Sequence, residues 1–327
     1  MRILFFGSGA FGLPTLQALC ERHDVAEVIS QPDKPAGRKR VLTPTPIAAW
    51  ALEQGYAVPR VDNVNTPEFV EQIKSHEADA SVVIAFGQKL GPDLIDAMGR
   101  LAINLHASLL PKYRGAAPIN WAMIDNEPVT GNSVIALAQR MDAGVVYAAN
   151  KTPIDPFETA GELHDRLSAM GPEVVGKVIQ QLADDALAPI EQDESLATKA
   201  RKFTKADGTV SFDQPADLAR ARVHGLTPWP GCRVRWIKAD GTDKGLLTLK
   251  RVVDESRPGF SAELDEDASQ SGLKHGLLDK QLRVTCSSGA VRLIEVQAPG
   301  GKAMSAEDFA RGQGLAEGDV LEPLGSI

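Results

Sequence analysis

The sequence predicts an α/β fold in two parts. The first is a Rossmann-like, mostly parallel sheet domain at 1–190, and the second is a small β-barrel (OB-like) domain at 209–327. Two observations predict it. Apolar runs of strand length alternate with helical stretches through the first half, as in a parallel sheet covered on both faces. After a polar, charged stretch at 191–208, read as a linker, the strand-like runs become short and are separated by Gly, Pro and Asp.

The elements follow in order. RILFFG (2–7) and VAEVIS (25–30) open the sheet, and ASVVIAF (80–86), LAINLH (101–106) and SVIALA (133–138) continue it. Helical stretches at 11–22, 66–75 and 115–125 lie between them, and VVYAAN (145–150) adds a strand. A long helix is predicted from about 160 to 185, because Thr159 and Glu162 have the spacing of a capping box. The barrel strands are CRVRWIKA (232–239), LLTLKRVV (246–253), LRVTC (282–286) and VRLIEVQ (291–297). The acidic segment 257–276 reads as a loop. KPAGRKR (34–40), rich in Pro and Gly, reads as a mobile surface loop.

Composition narrows the function classes. Hydrophobic residues make up 43%, enough for ordinary cores, and no apolar run approaches the length of a membrane span. The three cysteines are far apart and form no CxxC, which predicts reduced thiols in a cytoplasmic protein. No spacing of metal ligands occurs, so no metal is expected. A monomer is expected. The net charge of −8 argues against nucleic acid, but it is uneven: residues 1–200 carry all of it, and 201–327 are neutral. Within 199–240, nine basic residues face four acids. Such a patch on an acidic body can meet a phosphate backbone, or it can be a solvated face.

Gly7, Gly9 and Gly12 form G-x-G-x-x-G after the first strand, with Asp33 21 residues beyond Gly12. That is the dinucleotide fingerprint, and it supports an NAD-dependent oxidoreductase as the rival class. Any tight strand-to-helix turn recruits glycines, however, and Asp33 sits in a polar loop.

Asn104 and His106 stand two apart at the end of a strand, so both can face one bound atom. Ligands of open α/β sheets bind at the carboxyl ends of strands. Asp142 follows the strand at 133–138, where a neighbouring strand end would bring it to His106. An amide, an imidazole and a carboxylate together suit acyl transfer to an amine. The alternative is a buried histidine and a capping aspartate.

INLHASLLPKYRGAAPINWAM (103–123) and MDAGVVY (141–147) resemble the paired motifs of the folate-dependent formyltransferases. The resemblance implies that Asn104, His106 and Asp142 are the catalytic three. It implies that Ser108, Leu109, Leu110 and Pro111 contact the folate, with Phe86 and Gly87 near the pterin pocket. It also implies 10-formyltetrahydrofolate as formyl donor. QPDKPAGRKRVLTPTP (31–46), HGLTPWPGC (224–232) and GGKAMSAEDFARG (300–312) are similar to the branch of that family that acts on tRNA, so the resemblance covers nearly the whole chain. The acceptor it implies is the α-amino group of methionine on initiator tRNA. Lys34, Arg38, Lys39, Arg40, Arg201, Lys202 and Lys205 are the expected tRNA contacts. A formyltransferase acting on a sugar nucleotide or glycinamide ribonucleotide is the near rival, but it would need neither the basic run nor the basic second domain. The sequence departs from the family pattern at Arg38-Lys39-Arg40, where a glycine-containing run is usual, and at Ala143, where a larger apolar residue is usual. The loop at 257–276 is longer than usual.

Overall fold

A computed structural model describes residues 1–37, 40–255 and 274–325. The chain forms two compact units. Residues 1–116, 130–152 and 164–200 make up the first; residues 117–129, 153–163 and 201–327 make up the second. The units therefore interleave in sequence.

The first unit opens with β1 (Arg2–Gly7), α1 (Leu13–Arg22) and β2 (Asp24–Ile29). A two-stranded ribbon follows, β3 (Lys34–Ala36) with β4 (Val41–Thr43), then α2 (Pro46–Glu53) and α3 (Pro67–Ser75). Thr45 and Thr66 cap these helices through their hydroxyls, and a proline occupies the first turn of each. Next come β5 (Ala80–Ile84), α4 (Pro92–Ala97), β6 (Leu101–His106) and the short β7 (Arg114–Gly115). Helix α5 (Pro118–Ile124) belongs to the second unit. β8 (Val129–Ala136) and β9 (Val146–Pro153) complete the sheet, in the order β2-β1-β5-β6-β8-β9. Its first four strands are parallel and β8 runs antiparallel to β6. β1 and β5 are buried almost throughout, as a strand covered on both faces must be. Phe6 and Phe86 meet edge to face in the core, with ring centroids 5.5 Å apart.

Helix α6 (Ala160–Ala183) starts at the predicted capping box: Thr159 N–H and Oγ both donate to Glu162, at 2.7 and 2.9 Å. β10 (Lys199–Ala200) pairs in parallel with β7. The second unit then contains α7 (Ala216–Gly225), β11 (Cys232–Ile237), β12 (Asp243–Asp254), β13 (Arg283–Thr285), β14 (Ala290–Gln297), β15 (Ala303–Ser305), α8 (Ala306–Gln313) and β16 (Val320–Pro323). Its antiparallel sheet has the order β13-β14-β12-β11-β16. Leu277 bridges to Val320 on β16 and Leu278 bridges to Val284 on β13, so the two end strands are joined and the sheet closes as a small barrel. Val234, Trp236, Leu249, Val291 and Phe309 are among the side chains that fill it. Asp319, fully buried, accepts hydrogen bonds from Trp236 Nε1 (2.8 Å) and the amides of Ala239 and Ala316 (3.1 Å each). α5 joins this unit because Asn120 Nδ2 donates to Gly225 O (2.7 Å) at the end of α7. A side chain at 225 would come within 2.7 Å of Ile124 Cγ1.

One expectation needs correction. The run at 34–40 is not irregular throughout: Lys34–Ala36 pair with Val41–Thr43, Lys34 opposite Thr43. Proline is tolerated at Pro35 because the ribbon is only two strands wide and every strand is an edge. Helices α2, α4, α7 and α8 were not read from the sequence; each is at most ten residues long, too short for periodicity to mark strongly. The acidic segment expected as a loop falls mainly in 256–273, outside the described residues.

Candidate active site

The carboxyl ends of β1, β5 and β6 lie side by side in the first unit: Gly7 is in register with Ile84, and Asn104 with Val83. β8 stands on the other side of β6, with Ile135 opposite Asn104 and Ser133 opposite His106. Asn104 is half-buried. His106 is buried, at 6% exposure.

His106 Nε2 lies 2.9 Å from Tyr113 O. A carbonyl only accepts, so Nε2 carries the proton and Nδ1 is the nitrogen left to gain or lose one. Nδ1 lies 3.7 Å from Asp142 Oδ2. That is too long for a direct hydrogen bond and suits an ion pair, or one intervening polar group. The same carboxylate oxygen accepts the amide of Gly115 at 2.8 Å. The backbone of 113–115 thus holds both members of the pair. A side chain at Gly115 would lie 2.6 Å from Ala200 O on β10, so this close pairing requires glycine.

The expected folate loop is strongly bonded. Ser108 Oγ donates to Lys112 O (2.7 Å), Ser133 Oγ donates to Ser108 O (2.8 Å), and Leu110 N–H donates to Ser133 Oγ (3.1 Å). Leu110-Pro111 is a cis peptide. Leu109 and Leu110 are half-buried. On the β5 side, Ser8 Oγ donates to Phe86 O (3.0 Å), and Gly87 adopts φ +84°. A Cβ there would stand 2.4 Å from the Gln31 amide. Asn104, His106, Ser108–Pro111 and Asp142 therefore surround the end of β6, and Phe86-Gly87 follow the end of the adjacent β5.

The basic residues differ among themselves. Lys34 Nζ donates to Gln31 Oε1 (2.6 Å), and Arg40 is exposed at φ +50°. Arg38 and Lys39 lie outside the described residues. In the second unit Arg201 pairs with Asp207 and lies over the stacked rings of Trp121 and Phe203, 5.3 and 5.7 Å from their centroids. Lys202 and Lys205 are exposed. Much of the basic stretch is committed internally. Arg220 donates to Pro156 O and Asn126 Oδ1, Arg222 to Thr209 O and Asp207 O, and Arg233 to Lys205 O.

The dinucleotide fingerprint has a packing explanation. Side chains at Gly9 and Gly12 would lie 3.3 Å from Ala85 Cβ and 3.2 Å from Ile84, tight contacts with the adjacent strand and its end. Asp33, the would-be ribose ligand, is held by Arg60 at 2.9 Å through both oxygens.

Four features of the site carry no mark in the sequence. Gln192 Oε1 accepts from Arg114 Nε and Nη2, and its Nε2 donates to the carbonyls of Asp142 and Gly144. Glu194 pairs with both Arg114 and Arg140, which hold its carboxyl at about 2. Thr198 Oγ accepts the Tyr113 amide at 2.8 Å. These three come from the stretch expected to be a linker. The fourth is Tyr113 O, a backbone atom that no side-chain pattern can signal.

The end of β6, in a mostly parallel sheet, thus carries an amide, an imidazole and a carboxylate. Residues 1–179 match the family model described as formyl transferase, and residues 202–314 match its C-terminal domain. The chain belongs to the formyl transferase family. Within it the chain belongs with the methionyl-tRNA formyltransferases. It is 38% identical to the "Methionyl-tRNA formyltransferase" of Sorangium cellulosum, over 98% of this chain and 99% of that one. It is 34% identical to that of Moorella thermoacetica, over 98% and 99%. Among solved structures, a sugar 3N-formyl transferase, WlaRD, crystallised with dTDP and 5-N-formyl-THF, has the same fold at a TM-score of 0.62 and 13% identity. The match covers 100% of this chain and 99% of that one. HypX from Aquifex aeolicus in complex with tetrahydrofolic acid matches at 0.56 and 15% identity, over 100% of this chain and 50% of that one.

Proposed function

We propose that this enzyme transfers the formyl group of 10-formyltetrahydrofolate to the α-amino group of methionyl-initiator-tRNA, in the cytoplasm and without a metal. The observation that carries the reading is the His106–Asp142 pair, 3.7 Å apart, with Asn104 two residues earlier on the same strand. The family names and the folate complexes of structural relatives support the donor class. The acceptor rests on the relatives' names and on exposed Lys34, Arg40, Lys202 and Lys205.

In this reading Ser108–Pro111 and Phe86-Gly87 seat the folate, and residues 1–190 carry the chemistry. The neutral amine attacks the formyl carbon. Asn104 donates to the oxygen that becomes negative, where a preorganised donor is worth most. The attacking nitrogen must lose a proton and the folate nitrogen must gain one as its bond to carbon breaks. His106 Nδ1 is free for this transfer because Nε2 is tied to Tyr113 O. Asp142, fixed by the Gly115 amide, stabilises the imidazolium. Residues 209–327 and the basic run at 34–40 hold the tRNA, with Arg38 the leading phosphate contact because guanidinium pairs with phosphate through two bonds. The test is formyl transfer from labelled 10-formyltetrahydrofolate to methionyl-tRNA, with free methionine and small amines as controls. Transfer to tRNA alone is expected; transfer to a small amine alone would replace this acceptor.

A further inference from the structure

Gln192 is 50 residues from Asp142 in sequence. All four bonds of its side chain are spent on two groups beside the reacting pair. Oε1 takes Arg114 Nε at 3.0 Å and Nη2 at 2.7 Å, and Nε2 gives to Asp142 O at 2.8 Å and Gly144 O at 2.7 Å. An amide has two donor hydrogens and two lone pairs, so Gln192 is saturated. A carboxylate could not supply the donors, and an ammonium could not accept from Arg114.

We infer that Gln192 is a positioning residue that sets the separation of Asp142 from His106. Asp142 has φ +54°, a conformation that non-glycine residues hold only where the surroundings fix it. Two residues on, Gly144 packs so closely on β8 that a Cβ would lie 2.0 Å from Ala136 O. The turn is therefore held from below by β8 and from the side by Gln192. The bonds form a closed ring. Arg114 holds Gln192, Gln192 holds the Asp142 backbone, and the Asp142 carboxylate returns to Gly115 N, next to Arg114 in the chain. Tyr113, on the other side of Arg114, accepts from His106. Glu194 braces Arg114 from outside the ring. Without Gln192, the Asp142 and Gly144 carbonyls lose their donor and Arg114 loses an acceptor. The carboxylate would then be free to leave the imidazole with only Gly115 N to hold it.

This inference rests on the proposed catalytic roles of His106 and Asp142, and a double-mutant cycle separates the two. Gln192→Ala should lower kcat roughly 10–100-fold, the scale of a small misplacement of a reacting group, with the KM for folate within about twofold. Gln192→Glu keeps the volume and the acceptor for Arg114 but turns an oxygen toward both carbonyls. It should lose kcat similarly while remaining folded, which keeps the test open if the alanine variant unfolds. In an Asp142→Asn background either change should cost at most about twofold, because the group being positioned no longer works. Near-normal kcat in the folded variants, or a loss that simply adds to that of Asp142→Asn, would overturn the inference while leaving the catalytic reading intact. Full activity of Asp142→Asn would overturn that reading, and this inference with it.

Discussion

The two units use charged side chains in opposite ways. In the first, Arg114, Arg140 and Glu194, joined by the neutral Gln192, form a frame beside a histidine and a carboxylate that are left 3.7 Å apart. In the second, the basic residues that make 199–240 positive are mostly spent on the fold itself. Arg220 is 4% exposed and ties two loop oxygens to α7, and Arg222 and Arg233 donate to backbone carbonyls. The lesson is that charge counted along a sequence is not charge presented to a partner. A guanidinium with five fixed donors is as useful for satisfying buried carbonyls as for meeting phosphate.

Four substitutions or titrations sharpen that contrast. The largest effect should come from the reacting pair. His106→Ala should fold and lose roughly 10²–10⁴ in turnover, the usual contribution of a proton-transferring residue. Turnover within a few-fold of normal, measured by single-turnover formyl transfer, would remove His106 from the mechanism.

In the second unit the corresponding changes should act on stability. Arg220→Met would remove a charged donor from Pro156 O and from Asn126 Oδ1. Two lost bonds to a charged group, at about 1.5–3 kcal/mol each, predict a loss of roughly 3–4 kcal/mol. Thermal and urea unfolding would reveal it; an unchanged midpoint would mean that these oxygens find water.

The next effect is on pH. His224 is fully buried, and its Nε2 accepts the Val252 amide at 3.1 Å. Burial, then the charges of Arg220 and Arg251, push it down to about 4. Because its folded value is depressed, the unfolded chain takes up a proton first. Stability is therefore full above about 6.5 and falls as pH drops from there to about 4. The loss should be roughly 3 kcal/mol. His224→Gln should flatten that part of the stability–pH curve; a curve identical to wild type would assign the acid loss to carboxylates.

The smallest effect should come from the charges that remain outside. Lys202→Ala or Lys205→Ala should leave the unfolding midpoint unchanged and reduce the salt slope of tRNA binding by about one phosphate each. An unchanged slope would place both in solvent alone.

How much of this could be read from the sequence follows the range of the interactions involved. β6 was predicted residue for residue, because a buried parallel strand writes its pattern into six consecutive positions. The capping box at Thr159 and Glu162 is local and was found for the same reason. Strand spacing and the paired motifs single out Asn104, His106 and Asp142 as candidates, and the structure brings His106 and Asp142 together. Gln192 and Glu194 were not legible, since their partners lie about 50 to 80 residues away and glutamine in a polar stretch has no local signature. The same limit hides that Arg220, one of the nine basic residues counted in 199–240, is buried.

The closure of the barrel at Leu277 and Leu278 has a consequence for how the second unit can meet other molecules. An open sheet offers a row of unpaired amides and carbonyls on which an incoming extended chain can add itself as another strand. Here β13 and β16 have each other through the 276–278 bridge, so that row is already taken. Strand addition is blocked where those two strands would otherwise stand open. A partner on that side must be met by side chains and solvent. For a unit proposed to handle RNA, such a surface can bind and release a polyanion many times without offering newly made polypeptides a template on which to pair.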